Sequence, residues 1–189
     1  MIVIIDCGSS KVPLIEEMVD EFMDYKTVPL FEFTLENEKE ALGFIISGAP
    51  ILITEKDPQP YLDQFTWLKT IEKPVLGICF GHQMMGMTYE AFPNRQKEDR
   101  DWMTVEIIAD CPLFDKMPTE IEFMEDHCEC ISIPKDFLLV GVSDSCINEA
   151  MMHESKPLFG VQFHPEVSGN MGAILFQNFV QLCENHSNI

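Results

Sequence analysis

Positive charge is what this sequence has least of. Lys and Arg number 12 against 32 Asp and Glu, for a formal charge of −20. Nucleic acids and anionic membranes are held by neutralising phosphates with a basic surface, so this balance argues against both as partners. The acidic residues are spread along the chain, as on a solvated surface that keeps a protein in solution. Long apolar runs are missing too. No stretch approaches the about 20 apolar residues of a membrane helix, and the opening MIVIIDCGSS lacks the basic flank and long apolar run of a signal peptide. A soluble, cytoplasmic protein is expected. Regular cysteine spacing is also absent: the seven cysteines, at 7, 79, 111, 128, 130, 146 and 183, form no disulfide framework and read as reduced thiols. The run His127-Cys128-Glu129-Cys130 has ligand-type side chains, but two cysteines one residue apart with no CxxC pair match no common zinc spacing. No metal or other cofactor is expected, and no G-x-x-x-x-G-K-[ST] phosphate loop occurs.

What is present is enough apolar content, 46% of 189 residues, for one substantial core, so residues 1–189 read as one domain. The first half alternates between two patterns. MIVIID (1–6) is a continuous apolar run of strand length, and residues 12–24 then place Ile15, Met18, Val19, Phe22 and Met23 at helical steps. Strands are expected at 28–33, 43–47 and 74–78, and helices at 61–71 and 81–91. Such β-then-α units imply an open, mostly parallel sheet with helices on both faces, a three-layer α/β architecture. From about residue 102 the texture changes to short runs, WMTVEII, IEFMED, FLLVGV and PLFGVQF, which suggest added antiparallel strands. A closing helix is expected over 171–183.

Two motifs carry chemistry. Gly77-x-Cys79-x-Gly81, in GICFGHQ, falls where a strand should pass into a helix and has the form of a nucleophile elbow. In so tight a turn side chains at the flanking positions would strike main chain, and glycine removes them. A sulfur at the first turn of a helix meets unpaired N–H groups, which favour a thiolate and can bind a developing oxyanion. The other reading of Cys79 is a buried structural thiol. The second motif is His164-Pro165-Glu166, at the end of the apolar run LFGVQF. Pro165 disfavours helix at His164, and in an extended segment residues i and i+2 face the same way, so Glu166 can orient the imidazole. Cysteine, histidine and carboxylate together make a nucleophilic triad.

GICFGHQ together with GVQFHPEV resembles the class I glutamine amidotransferase family in form and order, over nearly the entire chain. ISGAP (46–50) is similar to the family's S-G-G-P loop. The resemblance implies a flavodoxin-like fold and hydrolysis of glutamine through a cysteinyl thioester, with Cys79 as nucleophile, His164 as base and then acid, and Glu166 as its support. It implies oxyanion donation by the backbone N–H of Phe80 and of Ala49 in the Gly48-Ala49 loop, and a part for Gln83 in the glutamine pocket. Within the family, MIVIIDCGS, EDHCECISIPKDFLLVGVSDSCINEAMMH and GVQFHPEVSG are similar in order and spacing to the separate glutaminase subunit of GMP synthetase. That likeness implies L-glutamine as substrate and a separate ATP-dependent synthetase as the acceptor of ammonia. It also puts His127 in a segment lining the glutamine site, against the plainer reading of a loop histidine. Three stretches depart from the pattern. Ala49 would resist a positive φ if the loop needs one. Gly8-Ser9-Ser10-Lys11 lacks a glutamine and an aromatic residue, and 88–102 lacks a double glycine and a glutamate-tyrosine element. A γ-glutamyl hydrolase acting alone and a non-catalytic regulatory module of the same fold are the competing readings.

Overall fold

A computed structural model describes residues 1–187. In chain order the strands are β1 (Ile2–Asp6), β2 (Tyr25–Pro29), β3 (Gly43–Ile46), β4 (Val75–Ile78), β5 (Pro93–Asp99), β6 (Trp102–Ile107), β7 (Glu120–Met124), β8 (His127–Ile131), β9 (Phe137–Val142), β10 (Ala150–His153) and β11 (Leu158–Val161). The α-helices are α1 (Val12–Asp20), α2 (Gln59–Leu62), α3 (Phe80–Thr88) and α4 (Gly169–His186). Nine strands form one sheet in the order β2-β1-β3-β4-β11-β10-β9-β6-β7, and β5 pairs with β8 in a small ribbon. From β2 to β11 neighbours run parallel, and from β11 to β7 they run antiparallel. This is the flavodoxin-like sheet that the sequence implied, its parallel half β2-β1-β3-β4-β11 extended by the antiparallel strands β10-β9-β6-β7.

The continuous apolar strands are explained by burial on both faces. Successive side chains of a strand point to opposite sides. Ile2 and Ile4 thus join Ile15 and Val19 of α1 and Leu175, Phe176 and Phe179 of α4 in one core. Val3 and Ile5 join Phe65, Leu68 and, from α3, Phe80, Met84 and Met85 in the other. Each fully buried Ile or Phe of this kind contributes about 1.5–3 kcal/mol of transfer free energy.

Several elements differ from the sequence expectation. Helix α1 stops at Asp20 rather than continuing to 24, with acidic residues and no basic one at its negative end; Phe22 and Met23 still pack on the first core. Strand β2 lies over Tyr25–Pro29 rather than 28–33, because after Pro29 the chain turns into a 3-10 helix at Leu30–Glu32. The 61–71 segment is helical, but Asp63–Lys69 is wound as 3-10. β5, β8 and β10 had no sequence signal read as a strand. Among the described residues no helix is long and apolar enough to cross a membrane.

Candidate active site

The site lies where β4 and β11 end side by side. They are parallel neighbours with Ile78 opposite Val161, so the residues that follow each emerge at the same edge of the sheet. After β4 comes Cys79, at φ 51° and ψ −105°, between the strand and the first residue of α3. The left-handed φ is costly for a residue with a Cβ, and the turn is held by Cys79 N donating to Val161 O at 2.8 Å and Gln83 N donating to Cys79 O at 3.0 Å. The flanking glycines are steric necessities. A Cβ on Gly77 would stand 2.7 Å from the backbone of Gly81, and one on Gly81 would stand 2.4 Å from Ile46 O.

After β11 comes Gln162-Phe163-His164. His164 N donates to Met124 O at 2.9 Å, and Pro165–Val167 then form a single 3-10 turn. That turn carries Glu166 round to His164, with Oε1 2.7 Å from Nδ1. Helix α4 packs tightly on the turn: a Cβ on Gly172 would collide with Pro165 O at 1.8 Å. His164 and Glu166 are both buried. Burial by itself would depress the imidazole, but the sulfur of Cys79 and the carboxylate of Glu166 outweigh it and raise His164 to about 10. Both neighbours thus favour a proton on His164.

The S-G-A-P loop closes a third side. Ser47 Oγ accepts from Cys7 N at 2.9 Å and donates to Gly48 O at 2.9 Å. Gly48 is wedged against Cys79 and His164, since a Cβ there would lie 3.3 Å from His164 Cε1 and 3.7 Å from Cys79 Cβ. Among the described residues the non-glycine positions with positive φ are Cys79, Glu90, Lys116 and Asp136. Ala49 is not one of them, so the loop imposes no left-handed φ on its methyl. Phe80 opens α3, where an N–H has no partner within the helix, while its side chain is buried against Tyr61 at 5.6 Å between ring centroids.

A cavity of about 450 Å³ opens over Cys79 and His164, and Ala49, Gln83 and His127 also line it. His127 heads strand β8 and is buried rather than looping into solvent. Gln83 sits in the pocket floor, its Nε2 donating to Glu129 O at 3.0 Å and to Gln162 Oε1 at 3.1 Å. Gln162, which the motif reading passed over, is fully buried and directs its own Nε2 at Cys79 Sγ from 3.7 Å. Its one sequence signal is an amide at the end of an otherwise apolar strand. Glu129 was also missed except as a metal-ligand type. Its carboxylate accepts from Ile53 N at 2.7 Å, from Thr54 N at 2.9 Å and from the Thr54 hydroxyl, and so fastens the loop that forms one pocket wall. The mouth holds charges of both signs. Lys11 Nζ lies 2.6 Å and Arg100 Nε 3.4 Å from Asp126, and Arg95 pairs with Glu55.

This is a strained cysteine beside a histidine of raised proton affinity, with a carboxylate behind the histidine and backbone donors nearby, an arrangement suited to acyl transfer through sulfur. The comparisons agree in kind. The sequence model of the family described as Glutamine amidotransferase class-I matches residues 3–182. The chain is 34% identical over 160 residues to the glutamine-hydrolyzing GMP synthase subunit of Pyrococcus furiosus, covering 83% of this chain and 82% of the relative. It is 32% identical over 191 residues to the protein of the same name from Thermococcus kodakarensis, covering 97% and 98%. A solved structure from Thermoplasma acidophilum, assigned as the corresponding GMP synthase subunit, superposes with a TM-score of 0.91 at 26% identity, over 99% of this chain and 95% of that one. A glutamine amidotransferase from Thermotoga maritima shares the fold, with a TM-score of 0.74 at 20% identity over 98% and 84%. With the family's sequence pattern running from the first strand to the last helix, and relatives above 30% identical matched almost end to end, the chain belongs to the class I glutamine amidotransferase family.

Proposed function

We propose that the chain hydrolyses the side-chain amide of glutamine at Cys79 and passes the ammonia to a separate ATP-dependent synthetase, as the glutaminase half of a GMP synthase. Its relatives are named as glutamine-hydrolyzing subunits of GMP synthase, which supports both the substrate and the existence of a second subunit. The observation that carries the reading is the placement of Cys79, at a left-handed φ, beside a His164 that is itself 2.7 Å from Glu166. The mixed charges of the pocket mouth suit an amino acid, whose head carries an ammonium and a carboxylate together.

The reaction follows from that placement. His164 takes the Cys79 proton on Nε2, the sulfur attacks the side-chain carbonyl carbon, a C–S bond forms, and the carbonyl electron pair moves to oxygen. The N–H groups of Phe80 and Ala49 receive that oxyanion. His164, whose Nδ1 is committed to Glu166, gives the proton on Nε2 to the leaving nitrogen, and ammonia departs with the C–N electron pair. Water then attacks the thioester while His164 takes its proton. Collapse breaks the C–S bond, releases glutamate and restores the Cys79–His164 pair with its proton. Gln162 and Gln83 hold the sulfur and the pocket floor in register, and Glu166 keeps the imidazole turned toward the sulfur.

The test is glutamate release from glutamine by the pure protein, alone and in the presence of ATP with the synthetase half of a GMP synthase. Turnover that is lost in Cys79→Ala, and that rises with the partner present, is the expected result. Absence of turnover under both conditions would sink the proposal. Turnover of γ-glutamyl amides in preference to glutamine, unaffected by any partner, would favour a hydrolase acting alone.

A further inference from the structure

Behind the pocket lies a set of buried groups that glutamine hydrolysis leaves unused. Glu125 precedes β8, His127 heads it and Glu149 stands just before β10, and each offers one ligand atom, all within 4.8 Å of one another. The three residues are 1%, 8% and 0% exposed. Neither oxygen of Glu125, nor His127 Nε2, nor Glu149 Oε2 has a hydrogen-bond partner among the described residues. Polar atoms so deeply buried without a hydrogen bond are costly, and two carboxylates sharing one space require positive charge between them. Protons can supply it, and so can a metal ion.

Three features favour a metal. His127 Nε2 and Glu125 Oε2 are 3.2 Å apart, an ion pair when the imidazole carries a proton but not aligned as a hydrogen bond. Two ligands placed tetrahedrally, each about 2.1 Å from a zinc ion, stand roughly 3.4 Å apart. The second ring nitrogen of His127, Nδ1, faces Cys130 Sγ at 3.9 Å, so a proton carried on Nδ1 toward that sulfur would leave the Nε2 lone pair to a metal. Ser143 Oγ likewise donates to Glu149 Oε1 at 2.6 Å and leaves Oε2 to the cluster. Ligating histidines and carboxylates are commonly oriented by outer partners of this kind. We propose that Glu125, His127 and Glu149 bind one divalent transition-metal ion, zinc foremost, which enters through the glutamine pocket that His127 lines. Two oxygens and one imidazole nitrogen suit a borderline cation of this class. The ion would also brace the active site from behind, since Glu149 O accepts from Gln162 N at 2.8 Å, and Gln162 is the residue that meets Cys79 Sγ.

The test does not depend on glutamine turnover, so it can fail independently of the proposed function. Chelator-stripped, fully reduced protein is titrated with zinc by calorimetry, and bound metal is counted after gel filtration. One equivalent is expected in the wild type and equally in Cys79→Ala, which separates the site from the active thiol. Glu125→Gln and Glu149→Gln each weaken binding by at least about a hundredfold, and Ser143→Ala by about 10–100-fold. Protein loaded with cobalt in place of zinc shows d–d absorption without a thiolate charge-transfer band. If one glutamine variant does not fold, the other and Ser143→Ala decide. Lack of stoichiometric binding would mean that protons alone hold the cluster and would overturn the proposal. So would a strong thiolate band, binding that survives the glutamate substitutions, or binding that disappears in Cys79→Ala.

Discussion

Glu166 Oε1 stands 2.7 Å from His164 Nδ1, while Oε2 of the same buried carboxylate has no hydrogen-bond partner among the described residues. Its bonding is spent on one imidazole. Glu166→Gln keeps the shape and loses the charge, so kcat should fall by about 10–100-fold, against the roughly 10²–10⁴-fold that acid–base catalysis contributes as a whole. Cys79→Ala and His164→Ala should each abolish turnover. Steady-state assays on the three variants check the ranking, and wild-type rates from His164→Ala would exclude it from the reaction.

The raised His164 gives pH dependence a definite sign. Its folded value of about 10 lies above the ordinary 6.5, so the imidazolium contributes stability that is complete below about pH 6.5 and disappears as pH climbs through about 10. Thermal melts over that range should show the wild-type advantage over His164→Ala shrinking as pH rises. The alkaline limb of kcat/KM should fall in the same window. A stability difference independent of pH would contradict the ion-paired state.

Glycine substitutions should divide by what the new Cβ meets. On Gly77 or Gly81 it strikes backbone at 2.7 or 2.4 Å, which forces the elbow open, and overpacking of this kind costs about 1–3 kcal/mol. For a chain of this length that is a loss of about 2–12 °C in Tm. On Gly48 it meets His164 Cε1 at 3.3 Å, so Gly48→Ala should reduce kcat with a smaller change in Tm. Calorimetry beside kinetics separates the two classes.

Gln162→Leu removes the amide that faces Cys79 Sγ and deprives Gln83 Nε2 of one of its two acceptors. We expect kcat to fall by about tenfold with KM little altered, because the loss is in support of the sulfur; a tenfold change is about 1.4 kcal/mol of activation free energy. An unchanged kcat would show that the contact is incidental.

Glu129→Ala frees Ile53 and Thr54 from the carboxylate that fastens them. The wall of the pocket should loosen, so KM should rise more than kcat falls, and limited proteolysis should cut sooner within residues 50–57. Hydrogen bonds to a charged acceptor contribute about 1.5–3 kcal/mol each, so Tm should drop as well. Glu129→Asp, with a shorter reach, should fall between the two.

The sheet's parallel half was legible because β1, β3 and β4 are buried on both faces and spell this out as unbroken apolar runs. The elbow and the His-Pro-Glu turn were legible because each is local: the residues that constrain one another lie within a few positions. β5 reads PNRQKED and offers no apolar period, so only its pairing with β8 makes it a strand. β10 is four residues long, too short to show a pattern. The supports of the site were hidden for a related reason. Gln162 is 79 residues from Gln83 and Glu129 is 75 from Thr54, and nothing near either residue records the partner it will meet. Ala49 shows the converse. A departure from the expected glycine looked consequential in the sequence, yet the loop takes no left-handed φ at that position.

The register between β4 and β11 has one further consequence. Adjacent strands are about 4.8 Å apart whatever the loops around them do. The span from Cys79 to His164 is therefore set by a single rung of backbone pairing, Ile78 opposite Val161, and by the one and three residues that follow it. The mouth formed by Arg95, Arg100 and Lys11, and the altered 88–102 segment with it, stand outside that rung. Such a chain can exchange the residues of its mouth, lengthen them or reverse their charge, while the distance between Cys79 and His164 stays the same.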